Sequence, residues 1–155
     1  MPASSKRALI LTLGLVVAAA LAQLPGVAHL QAPAGVVAKA HSTVVADFQV
    51  HIDSGFHIQS NHPKLDYIIP SSLTLTAAQG VSVAKVSWPA ATDRKFSFSP
   101  DPLSVFEGSF TLPVTLKTGA PGTVMLHGVF RYQACNDQLC RPPVNQPVAL
   151  TVQVQ

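Results

Sequence analysis

The chain has 155 residues, 48% of them hydrophobic and only 11% charged, with ten basic and seven acidic residues and two cysteines. That length bounds it to one domain once a leader is set aside. The net charge of +3 falls to +1 without Lys6 and Arg7. No basic run or stripe remains, which excludes the usual footprint of a nucleic-acid partner.

Lys6 and Arg7 stand before an apolar stretch at 8–22 (ALILTLGLVVAAALA). A basic start, a short apolar run and small residues describe a secretory signal peptide over 1–22. Ala20, Leu21 and Ala22 fit the small-x-small rule and put cleavage before Gln23; Gly26, Val27 and Ala28 form a second option. An uncleaved membrane anchor is the rival, but the 15 residues of the run fall short of the roughly 20 a spanning helix needs. Residues 23–41 are rich in Ala, Gly and Pro without a clear period, and read as a flexible lead-in. The folded domain is then expected over 42–155.

From 42 onward the chain reads as strands. Val44, Ala46, Phe48, Val50 and Ile52 alternate with Val45, Asp47, Gln49, His51 and Asp53, as in a strand with one buried face. Ser54 and Gly55 break the pattern, 56–59 suits a short second strand, and SNHPK at 60–64 is a turn cluster. Leu73 and Leu75, then Val81, Val83, Val86 and Trp88, continue the strand pattern. The next buried set is Phe110, Leu112, Val114 and Leu116. Pro113 inside that run predicts an edge strand or a bulge. GAPG at 119–122 marks a turn. Val124, Leu126, Gly128, Phe130 and Tyr132 alternate after it, and Val148, Leu150, Val152 and Val154 close the series. Short strands, frequent turns and no helical period predict an all-β antiparallel sandwich, with the immunoglobulin-like form the commonest of its kind.

The cysteines lie in YQACNDQLCRPP at 132–143. Asn136 and Asp137 form turns, and Pro142 and Pro143 forbid ladder pairing just after Cys140. The pair should close a short loop, with Cα atoms at the ~5.5–6 Å a disulfide prefers. A structural staple in an exported protein is one reading. Yet so short a loop gains only about 2 kcal/mol from closure, against about 4.7 for 100 residues. A short loop also opens without unfolding the sandwich, which suits a redox role. Spacing alone leaves both readings open. A metal role is weaker, because two thiolates need two more ligands and no histidine pair has ligand spacing. Copper held by the thiols with His127 or Met125 is the remaining metal alternative. No motif calls for a cofactor.

At this loop the sequence resembles the N-terminal periplasmic domain of the thiol:disulfide interchange protein DsbD. YQACNDQLCRPP is similar to that family's Y-Q-x-C-(loop)-C-x-P-P segment. GFHIQSNHP at 55–63 and FEGSFTLPV at 106–114 resemble two further family stretches in the same order. The resemblance spans 42–154 and implies an immunoglobulin-like sandwich in the periplasm. It implies a dithiol, Cys135 and Cys140, that is reduced by a membrane-embedded domain. The dithiol then passes electrons to thioredoxin-fold proteins, among them disulfide isomerases and proteins of cytochrome c maturation. The implied activity is that of a protein-disulfide reductase component. This chain carries no polytopic membrane region, so the donor is expected to be a separate membrane protein. The competing functions are a non-catalytic exported binding domain with a structural disulfide and a periplasmic copper carrier.

Neighbouring residues receive roles on chemical grounds. Thiol–disulfide exchange needs a thiolate, and positive charge favours one. Arg141 follows Cys140 and Asp137 lies in the loop, which predicts Cys140 as the attacking thiol and Cys135 as the resolving one. Tyr132 is expected beside the pair, or else as an ordinary sandwich aromatic. The family's shielding cap loop corresponds to RKFSFSPDP at 94–102, making Phe96 or Phe98 the lid; a short edge strand with core phenylalanines is the alternative. His57 is a candidate base near pH 7, or a hydrogen-bonded histidine of the sandwich.

Overall fold

A computed structural model describes residues 26–155. The expected signal peptide at 1–22 lies outside the described residues. The strands, in chain order, are β1 (Ala28–Gln31), β2 (Val36–Ala38), β3 (Thr43–Ile52), β4 (His57–Gln59), β5 (Ser72–Leu75) and β6 (Ser82–Val86). They continue with β7 (Thr92–Arg94), β8 (Leu103–Phe106), β9 (Ser109–Lys117), β10 (Gly122–Tyr132), β11 (Ala134–Cys135) and β12 (Val144–Val154).

Two four-stranded sheets, in the orders β1-β3-β9-β6 and β2-β12-β10-β5, form the sandwich. The alternation read in β3, β9, β10 and β12 puts Phe48, Val50, Leu112, Val114, Leu126, Phe130, Leu150 and Val152 into one shared core. Burial of these side chains is the main favourable term, at roughly 25 cal/mol per Å² of apolar surface removed from water. The pairings are antiparallel except one: β2 runs parallel to β12, Val36 opposite Val152.

A third sheet, β11-β4-β8-β7, sits at one end of the sandwich. It is built from continuations of the core strands. β3 turns through Gly55, at φ 80°, into β4. β8 reaches β9 through Gly108, at φ 67°. Only Gln133 separates β10 from β11. Positive φ suits glycine, which has no Cβ to clash. The ends of β3 and β9 meet at His51 opposite Ser109, so both feed the same end of the molecule.

Two expectations change. The stretch 23–41 is not a loose lead-in throughout, because β1 pairs with β3 and β2 with β12. Val27, Ala28, Leu30 and Val36 are buried in the main core. Tertiary pairing orders a segment whose composition looked loop-like. Pro113 is also not on an edge strand, since β9 lies between β3 and β6. The irregularity falls on β6, whose register shifts between Val83 and Lys85. The Pro113 carbonyl accepts the Ser87 N–H at 2.8 Å. Amide and carbonyl of one antiparallel strand residue point the same way. The missing N–H of Pro113 therefore faces Ser87, one residue beyond β6, so the bond that proline cannot make falls where the β6–β9 pairing ends.

Candidate functional site

The third sheet carries the cysteines. Cys135 ends β11 and is the register partner of His57 on β4. Cys140 forms an isolated antiparallel bridge with Cys135, and the two are joined by a disulfide with a Cα–Cα distance of 3.9 Å. This is closer than the separation expected from sequence, because the two residues stand directly opposed rather than at the ends of an open loop.

The loop between them satisfies its own backbone. Asn136 N–H donates to the Leu139 carbonyl at 2.9 Å. The Asn136 side-chain oxygen accepts from the amides of Gln138 and Leu139 at 3.0 and 2.9 Å. This is the local competition with regular structure that makes Asn a turn former. Arg141 N–H donates to the Ala134 carbonyl at 2.8 Å, and the Gln133 side-chain amide donates to the Arg141 carbonyl at 3.2 Å. The two sulfur carriers differ in access. Cys135 is 0% exposed, while Cys140 is half-buried and follows Leu139, whose side chain is 52% exposed.

Beside the pair lies β4, the short second strand expected at 56–59; of its polar groups sequence reasoning singled out His57 but not Gln59 or the Ser60 that follows it. β4 is buried along its whole length, and Gln59 and Ser60 are as inaccessible as Ile58. The Gln59 Nε2 donates to Cys135 Sγ at 3.3 Å. Among the described residues, His57 Nε2, Gln59 Oε1 and Ser60 Oγ are buried without a hydrogen-bond partner. Unsatisfied buried polar atoms are rare and call for an explanation.

The 94–102 segment leaves β7 and covers this strand as a loop, as its Ser and Pro content implied. The Phe96 ring stacks on His57 with centroids 4.1 Å apart, and Phe98 stacks on Phe96 at 5.4 Å. Phe96 is buried in a small cluster with Leu103 and Val105, whereas Phe98 is partly exposed. Ser97 Oγ donates to the Asp137 carbonyl at 3.2 Å and so ties the loop to the cysteine turn.

Burial under Phe96 lowers the His57 pKa from its ordinary 6.5 to about 4; the Asp137 carboxylate opposes that shift and the Arg94 guanidinium adds to it. His57 is thus neutral near pH 7 and is not protonated by mild acid. Between pH 6.5 and 4 the unfolded chain binds a proton there that the folded chain refuses. The stabilisation by neutral His57 is complete above pH 6.5 and is lost as the pH falls toward 4. The urea midpoint of the parent should therefore fall relative to that of a His57→Phe variant as the pH is lowered from 7 to 4.5. Parallel loss of stability in the two would show that His57 does not titrate this way.

Two other expected residues sit differently. Tyr132 is fully buried against Phe130, and its hydroxyl accepts the Ala28 N–H at 3.3 Å. It fastens β1 to the sandwich, and its polar end is directed to Ala28. The Arg141 guanidinium stands 4.4 Å over the Phe56 ring. Its charge is engaged in a cation–π contact, which weakens the argument that adjacency alone tunes Cys140. Met125 and His127 lie along β10, opposite Thr151 and Ala149 on β12. Among the described residues no helix is long and apolar enough to cross a membrane.

The family model described as the N-terminal part of thiol:disulfide interchange protein DsbD matches residues 27–152. The N-terminal periplasmic domain of ScsB from Proteus mirabilis is similar in structure, with 15% identity, a TM-score of 0.54, and coverage of 81% of this chain and 45% of that one. The DsbD N-terminal domain of Neisseria meningitidis in the reduced form aligns with 15% identity, a TM-score of 0.49, and coverage of 74% and 82%. No curated protein matches. The chain spans less than half the length of the ScsB structure, and at that identity the likeness speaks for the fold alone. The family match covers most of the chain and includes the cysteine loop, the covering loop and the core strands up to residue 152 in β12. An all-β, immunoglobulin-like sandwich with a cysteine pair at one end thus belongs to the family of the N-terminal domain of thiol:disulfide interchange protein DsbD.

Proposed function

We propose that this domain relays reducing equivalents by thiol–disulfide exchange through Cys135 and Cys140. The observation that carries the reading is the placement of the bond. It closes a five-residue separation in a self-bonded turn at the end of the sandwich. Opening it forfeits only about 2 kcal/mol of loop-closure entropy and leaves the core strands paired. Family membership supports the same chemistry. On this reading the domain works in the periplasm after export by the leader at 1–22. Its electrons come from a separate membrane-embedded thiol reductase. Its acceptors are thioredoxin-fold proteins, such as disulfide isomerases or proteins of cytochrome c maturation. The domain is then the carrier component of a protein-disulfide reductase.

The reduction potential of the Cys135–Cys140 couple tests the proposal. Structural disulfides typically lie below about −300 mV, and exchange-active pairs above. Equilibration with glutathione buffers should give a value above that limit; a value well below it would overturn the carrier role and favour a staple.

Phe96 and Phe98 act in this reading as the shield that limits access to the bond. Its removal should raise the rate at which dithiothreitol reduces the disulfide, severalfold in a Phe96→Ala variant and less in Phe98→Ala. Unchanged rates in both would end the idea of a shield.

A further inference from the structure

We infer that Gln59 is a positioning residue for the exchange reaction: its side-chain amide stabilises the sulfur of Cys135 each time that sulfur carries negative charge. The inference rests on the carrier reading and deepens it. Three observations support it. Gln59 is 0% exposed, its Nε2 lies 3.3 Å from Cys135 Sγ, and its Oε1 has no partner.

The need arises from burial. Cys135 is itself 0% exposed, and its strand neighbour His57 is buried and neutral near pH 7. Burial in apolar surroundings raises a thiol pKa and makes its thiolate costly. Yet exchange requires that thiolate. An incoming dithiol protein attacks the more accessible Cys140 sulfur with its thiolate. A bond forms between the donor sulfur and Cys140 Sγ, and the Cys135–Cys140 bond breaks. The electron pair of the broken bond goes to Cys135 Sγ, which leaves as a thiolate and is later protonated by water. The donor's second thiolate then displaces Cys140, so the donor becomes a disulfide as this pair becomes a dithiol. In the outgoing half, Cys140 attacks the acceptor disulfide and Cys135 returns as a thiolate to resolve the mixed disulfide. Cys135 is the charged, buried sulfur in both directions, and a hydrogen bond to the charged form favours it.

A carboxamide suits this position better than a fixed charge. The disulfide sulfur and the thiolate can only accept, and the amide N–H₂ meets both. A neutral thiol has an S–H to donate, and the amide turned over presents Oε1 to it. The orphaned Oε1 is then the group held in reserve for the protonated state of Cys135. This accounts for one of the three unsatisfied atoms between residues 57 and 60.

The test reads the Cys135 pKa directly, by ultraviolet thiolate absorbance in a Cys140→Ser background. Gln59→Leu should raise it by about one unit, a tenfold loss of thiolate at a given pH. Gln59→Glu keeps the shape but can only accept, and should raise it at least as far. A rise with Leu alone would mark a packing effect and overturn the inference, as would no rise in either folded variant. The unsubstituted protein supplies a check independent of folding. The Gln59 side-chain amide protons should shift in NMR spectra when the disulfide is reduced and again when Cys135 titrates, and constant shifts would overturn the inference. The carrier reading fails separately: a potential well below −300 mV in the unsubstituted protein sinks it whatever Gln59 does to Cys135.

Discussion

Reduced Cys135→Ser protein mixed with an oxidised thioredoxin-fold protein is expected to accumulate a disulfide-linked adduct through Cys140. The Cys140→Ser protein should yield about tenfold less or none, since exchange rates follow access to the attacking sulfur. Sequence adjacency to Arg141 first suggested this order, but the structure supplies a different reason for it. The Arg141 charge lies over Phe56, whereas Cys135 is fully buried beside β4 and Cys140 stands half-buried after exposed Leu139. An approaching disulfide reaches Cys140 first. Serine at 135 then leaves no thiol to attack the mixed disulfide, and turnover stops at the adduct. Gel mobility without reductant, followed by peptide mapping of the linked cysteine, reads the outcome. Preferential trapping through Cys135 would reverse the roles of the two sulfurs and remove the basis for placing charge on the buried one.

The second large effect concerns Gly128, in the middle of β10. It pairs with Leu75 on β5 and Val148 on β12. A Cβ at this position would lie 2.0 Å from the Thr74 carbonyl oxygen and 3.0 Å from the Leu75 Cα. Both are backbone-defined atoms, so no rotamer change relieves the overlap, and β5 must be pushed off its neighbour. Gly128→Val is expected to cost about 3 kcal/mol, the upper part of the range for overpacked cores. For a domain of this size that is roughly a 10 °C fall in Tm. Gly35→Ala serves as the control, because its Cβ would meet only the Thr151 carbonyl at 3.8 Å, an ordinary contact. Thermal melts of the two variants should differ clearly, and equal melting temperatures would show that β5 yields without cost.

The central strands were legible because each buries one face over many residues. The period-2 pattern of β3, β9, β10 and β12 survives directly as buried and exposed positions. β1 and β2 were not legible, since four and three residues in an Ala-, Gly- and Pro-rich stretch carry too little pattern. Their order comes from partners far along the chain. Gly128 looked like one more inward position, and nothing local reveals that a neighbouring backbone fills the space. The same division holds at the site. The cysteine loop and its turn chemistry could be read from adjacent residues, and the loop character of 94–102 from its Ser and Pro content. Gln59 could not, because its burial requires strands from both sides and its sulfur partner is 76 residues away. The direction of the Tyr132 hydroxyl, toward Ala28 across 104 residues, is equally a tertiary fact.

The parallel pairing of β2 with β12 has a consequence for how the molecule comes into being. Val36–Ala38 finds its register partners only at Val152–Val154, and the amides of Ala40 and Gln155 add bonds at the same seam. A chain that emerges from the ribosome or a translocation pore with its N-terminus first must hold Val36–Ala38 unpaired until β12 has followed. Closure of the seam is therefore a late event in biogenesis, and contacts of such long sequence separation fold slowly. During that interval the cysteine loop is already complete, since β4, β8 and β11 all precede β12. The cysteine loop is thus in place before the sandwich it caps has closed.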